Sequence, residues 1–162
     1  MPTVNDVIAF ALIASQIRFH TFVDDLSPAE FAAQPVPGAN SVAWMVGHLA
    51  LTDRRVTGLL GGAVPLLPDG FEAKFKTTKQ PATEQKDLGD PKELVAVFDA
   101  HRAALVAAVR AATPEALNAP MPNPHPLFTT VGEAAVFMAV HLGLHGGQVT
   151  VIRRALGYPP VM

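Results

Sequence analysis

Six histidines in a chain that has no cysteine point first to metal chemistry, because any bound ion must then be held by His, Asp or Glu. His141 and His145 stand four residues apart in His141-Leu142-Gly143-Leu144-His145. On a helix that spacing puts both rings on one face with Cβ atoms about 5–6 Å apart, close enough for both to bind one ion through bonds of about 2.0–2.1 Å. Pairs of this kind also occur at interfaces and core edges, so spacing alone leaves both roles open. Leu142 occupies the position of the glutamate in HExxH proteases, which argues against a zincin mechanism. His48 lies in a second apolar segment, Asn40-Ser41-Val42-Ala43-Trp44-Met45-Val46-Gly47-His48-Leu49. If the two segments pack side by side, His48 completes a three-His face with coordination positions left for water or substrate. Gly47, Gly143, Gly146 and Gly147 flank these histidines, each costing a helix about 1 kcal/mol relative to Ala. They signal close backbone approach, room for a ligand, or a loosely packed, kinked helix.

The elements that must position these residues are bounded by proline, which removes a helix donor and clashes with the preceding turn. Fifteen prolines leave four long open windows, 3–27, 38–64, 92–113 and 127–158. Each has a helical apolar stripe: Val4, Val7, Ile8, Ala11, Leu12, Phe19, Phe22, Val23 and Leu26 in the first, and Val42, Met45, Leu49, Val56 and Leu60 in the second. The third carries Leu94, Val97, Phe98, His101, Leu105, Ala108 and Val109 behind an Asp90-Pro91-Lys92-Glu93 capping box, and the fourth opens on Thr130 and Glu133. Four one-sided stripes with no competing strand signal predict an all-α four-helix bundle, one domain over 1–162. A long connection from Gly61 to Gly89 joins helices two and three and holds Lys74, Lys76, Lys79 and Lys86, with Phe71 and Phe75 as anchors. It reads as a solvated excursion or as a lid over a site. Residues 118–128, with Pro at 120, 122, 124 and 126, read as an extended polyproline-like tether.

Composition narrows the function classes. A net charge of −2 offers no cationic field for nucleic acid, and no uncharged apolar run reaches the roughly 18 residues of a membrane span. A soluble, cytoplasmic protein is expected. Only 16% of residues are charged, below the average of about 25%, which leaves apolar surface for a second subunit to cover.

The segments NSVAWMVGHLA and HLGLHGGQVTVIRRALGYPP, with LSPAEF after the first helix, resemble the DinB-like, or YfiT-like, metal-dependent hydrolase family over nearly the whole chain. Its most specific element is a His followed by His-x-x-x-His-x-Gly-Gln, here His48, His141, His145, Gly147 and Gln148. The resemblance implies a four-helix bundle, often dimeric, in which His48, His141 and His145 hold one divalent ion, zinc or nickel. It also implies transfer of a low-molecular-weight thiol, such as bacillithiol or mycothiol, to a small electrophile. The alternatives are hydrolysis of an amide, ester or thiol conjugate, and a non-catalytic metal-binding stress protein. Many relatives carry a further His before the last ligand and a basic residue after it, where this chain has Leu144 and Gly146, so any role of those positions is absent.

Among the remaining residues, Gln148 is placed to orient a ligand or line the site, or to bond between helices. Arg55, beside Arg54, offers either a bidentate grip on an anionic substrate or a solvated surface charge. His101 on its apolar stripe is a core residue unless it reaches the cavity, and His20 and His125 are structural or exposed. No carboxylate is placed as a base: Asp53 and Glu133 are misplaced relative to the histidines, which leaves Asp24, Asp25 or Asp99 to enter from another helix.

Overall fold

A computed structural model describes residues 1–77 and 85–161, so Lys79 of the long connection lies outside them. The four proline-free windows form α1 (Val4–Val23), α3 (Val42–Leu59), α5 (Pro91–Ala111) and α7 (Val131–Ala155). Three short helices lie between them: α2 (Pro28–Ala32), α4 (Phe71–Phe75) and α6 (Pro114–Asn118). Side chains that satisfy the first free N–H groups set the helix starts. Thr3 and Asp6 form a capping box on α1, and Thr130 and Glu133 form one on α7. Ser41 caps α3 by accepting from the Trp44 N–H. On α5 Asp90 alone accepts the N–H groups of Lys92 and Glu93, so one carboxylate supplies the cap expected from two side chains.

The long helices close into an all-α bundle in which α3 packs on α5, α5 on α1, α1 on α7 and α7 back on α3. Its centre is polar. Arg102 on α5 donates from Nε and Nη2 to the Asp53 carboxylate of α3 at 2.7 and 3.2 Å, and at 3.4 Å to the carbonyls of Leu12 on α1 and Met138 on α7. One fully buried guanidinium thus touches all four long helices.

Two expectations need correction. On α1 the buried face is Ile8, Ala9, Leu12, Phe19 and Val23, whereas Val4 and Val7 are exposed. The segment is apolar on nearly every side, so periodicity could not fix which face turns inward. Residues 120–130 are not a free tether: β1 (Pro120–His125) pairs antiparallel with β2 (Phe128–Thr130). Prolines at alternate positions leave the N–H groups of Met121, Asn123 and His125 on a single strand edge, which permits pairing along that edge. By length and composition alone α1 and α7 would pass as membrane spans, a test that the core helices of a bundle also pass. Both contribute to the bundle core through Leu12, Phe19, Leu142 and Val149, and both carry apolar side chains outside as well, which raises their hydropathy.

The glycines divide by environment. A Cβ at Gly47 would lie 2.4 Å from the buried Phe75 ring, so α4 sits on α3 because Gly47 has no side chain. At Gly146 the Phe22 ring would be 3.2 Å away, whereas Gly143 and Gly147 face open space. Gly47→Ala is therefore expected to cost about 1–3 kcal/mol through overpacking, lowering Tm by roughly 3–10 °C. Gly58→Ala, which meets only an ordinary contact at 3.9 Å from Val64, should leave Tm unchanged or slightly raised in the same thermal melt.

Candidate metal centre

The packing of α3 against α7 brings His48, His141 and His145 together, with one ligand atom from each within 4.8 Å of the others. Their rings lie 4.7–5.5 Å apart between centroids and meet edge to face. His145 Nε2 is 3.0 Å from His141 Nε2. Trp44, one turn before His48, stacks on its ring at 4.8 Å and 8° and fixes its plane.

Hydrogen bonds on the far sides of two rings decide which nitrogen is available. His145 Nδ1 lies 2.7 Å from Gln148 Oε1, and His48 Nδ1 lies 3.3 Å from the Phe75 carbonyl. Both partners are acceptors, so each Nδ1 carries the proton and each Nε2 presents a lone pair toward the cluster. Among the described residues the buried His141 Nδ1 has no partner, and the ring is held by packing and by its Nε2 side. The rings are also kept neutral. Burial first, then repulsion from His145, His48 and Arg102, pushes His141 down to about 3. Burial pushes His145 down to about 4 against the Gln148 hydrogen bond, and it lowers His48 against the Phe75 carbonyl. Neutral imidazole is the form that binds metal. Donor set, tautomers and spacing all fit one divalent ion with open positions.

Two cavities meet at this cluster. One, of about 460 Å³, runs from His48 toward α4 and is lined by Arg54, Arg55, Glu72 and Lys76. The other, of about 330 Å³, lies between the β1–β2 hairpin and α7 and is lined by His48, His141, Met121, His125, Phe128 and Phe137. Thr52, Arg55 and Thr77 border both.

Residues 11–149 match the DinB superfamily. The chain belongs to that superfamily. No curated protein matches it. Among solved structures, this DinB chain is similar to a conserved protein from Enterococcus faecalis, with a TM-score of 0.75 and 19% identity over 96% of this chain and 98% of the other. At that identity the likeness speaks for the fold alone.

The other residues singled out in the sequence sort by location. Gln148 bonds to His145 within its own helix rather than across helices. Arg55 is exposed and borders both cavities, while Arg54 is half-buried and donates to the Pro65 carbonyl. His101 is a core residue, its Nδ1 2.8 Å from the Val97 carbonyl. His20 is structural, bonded to Asp24 at 2.8 Å and Asp99 at 3.0 Å. Asp25 pairs with Arg153, Asp99 also accepts from Gln16, and Glu133 caps α7, so these carboxylates are committed elsewhere. Among the described residues, the carboxylate that lines a cavity with His48 is Glu72, on α4.

Sequence reasoning did not find Glu72, Lys76, Met121, Phe128 or Phe137 as site residues, and it set His125 aside. The available signals were the length of the 61–89 connection and the Phe-containing, proline-rich segment. The two Phe anchors expected of that connection are buried, and the Phe75 carbonyl faces His48.

Proposed function

We propose that this DinB protein is a metal-dependent enzyme in which His48, His141 and His145 hold one zinc or nickel ion and a low-molecular-weight thiol is transferred to a small electrophile. The observation that carries this reading is the convergence of three neutral rings at the junction of two cavities. A divalent ion there would lower the pKa of a bound thiol or water and polarise a carbonyl oxygen. Gln148 and the Phe75 carbonyl hold two rings in the required tautomer, and Arg55 is placed to grip an anionic group in either cavity. Because the chain has no cysteine, the thiol arrives as a substrate. The test is a screen of thiols against a model electrophile with the metal-loaded wild type and with the His145→Ala variant. Thiol-dependent turnover confined to the wild type supports transfer, and equal rates in both contradict it. Glu72 favours a second reading, hydrolysis, since it brings a carboxylate to the His48 cavity; turnover of an ester or amide without thiol would select it.

Metal affinity should persist below the pH at which exposed histidines lose an ion and fall steeply toward pH 4. Burial lowers all three rings, His141 to about 3, His145 to about 4 and His48 below its ordinary value, so protons compete only at lower pH. Ordinary exposed histidines would begin to lose the ion near pH 6.5. Chelator competition across that range checks the sign.

A cytoplasmic homodimer completes the proposal. The neighbouring helices α1 and α7 expose Val7, Phe10 and Ile17, and Val136, Val140 and Leu144. A second copy covering these side chains would remove them from water. Leu144→Glu should convert the dimer to a monomer in sedimentation equilibrium, and a wild type that is monomeric at high concentration contradicts it.

A further inference from the structure

The cavity between the β1–β2 hairpin and α7 has a wall unlike that of its neighbour. His125 stacks on Phe128 with centroids 4.2 Å apart and planes 10° apart, and Phe128 meets Phe137 at 5.2 Å. Phe137 in turn stacks on His141 at 6.1 Å and 13°. A continuous run of rings therefore leads from the hairpin to one of the three clustered histidines. Met121 and Met138 also line it. His125 is exposed and Phe128 and Phe137 are only partly buried, so part of this aromatic surface faces the cavity rather than the core. The neighbouring cavity presents Arg54, Glu72 and Lys76 instead.

We propose that the hairpin cavity is a subsite for a flat aromatic or conjugated group of a substrate, held by Phe128, Phe137 and His125 with its reacting end at the three histidines. This rests on reading those histidines as a metal centre. Offset and edge-to-face contacts favour flat rings beyond simple apolar burial, and a cavity of about 330 Å³ suits a small ring. Arg55 at the shared border suits an anionic substituent on the same molecule.

Two chelating probes separate the proposal from the reading beneath it. Benzohydroxamate and acetohydroxamate share a metal-binding head and differ in the ring, and their binding to zinc-loaded protein is measured by calorimetry. The wild type should bind benzohydroxamate at least tenfold more tightly. His125→Ala, at an exposed position that the core does not need, and Phe128→Ala should each reduce that preference to threefold or less while leaving acetohydroxamate affinity unchanged. Equal affinities in the wild type, or a preference unaltered in both variants, overturn the subsite and leave the metal centre standing. If zinc is taken up and neither probe binds, the subsite alone is overturned; if the protein takes up no zinc, the metal reading fails and the subsite falls with it.

Discussion

Replacing His145 with alanine is expected to lower zinc or nickel affinity by more than 100-fold while leaving the helical fold in place. His145 is the best-oriented member of the cluster: Gln148 holds its Nδ1 proton, and its Nε2 lies 3.0 Å from that of His141. Loss of a residue that only orients a metal ligand typically costs 10–100-fold in affinity, so loss of the ligand itself should cost more. Gln148→Ala should fall in that 10–100-fold range, because the ring loses the partner that fixes its tautomer. The exposed amide contributes little to the core, so circular dichroism and Tm should remain close to wild type. If the cluster were merely a packed core edge, Gln148→Ala would leave metal affinity untouched. Competition against a chelator distinguishes the two.

Asp53→Ala is expected to have the largest effect on stability, about 3–5 kcal/mol, or a Tm lower by roughly 6–20 °C. The substitution leaves the Arg102 guanidinium buried with two long hydrogen bonds to the Leu12 and Met138 carbonyls and the Phe98 ring among the described residues. Burial pushes the Asp53 carboxyl up against the pull of Arg102, as expected where taking two charges out of water offsets much of their attraction. Removing both charges should therefore harm the fold less than removing one, and Asp53→Leu combined with Arg102→Met should recover most of the loss. An additive double mutant in urea denaturation would contradict this coupling. The clamp also reaches the site. Arg102 already disfavours charge on His141, and with Asp53 gone its positive charge is no longer balanced. His141 should then be still harder to protonate.

Much of this was legible in the sequence, for identifiable physical reasons. Proline spacing delimited the four long helices, and Asp90 and Thr130 marked the starts of the last two because each satisfies a free backbone donor. The i, i+4 spacing of His141 and His145 is a local property of one helix, so their proximity followed once that helix was recognised. His48 joined them only through packing of α3 on α7, for which the resemblance to DinB proteins supplied the expectation. What remained hidden depends on contacts between distant segments. Nothing local to Asp53 or Arg102 announces a pair 49 residues apart at the bundle centre. The pairing of β1 with β2 was obscured because proline alternation imitates a free extended chain. Gly47 was read as a sign of close approach, which it is, but its neighbour is Phe75 of the long connection rather than another long helix. The inward face of α1 stayed ambiguous because Val4, Val7 and Phe10 are as apolar as the residues that are buried.

The central claim is that the three histidines hold a single ion. An anomalous-difference map from crystals of the untagged, zinc-loaded protein tests it most directly. One peak per chain, within about 2.0–2.1 Å of a nitrogen of each of His48, His141 and His145, is the predicted result. A map without a peak among those three rings, or with zinc bound only at other surface residues, would contradict it.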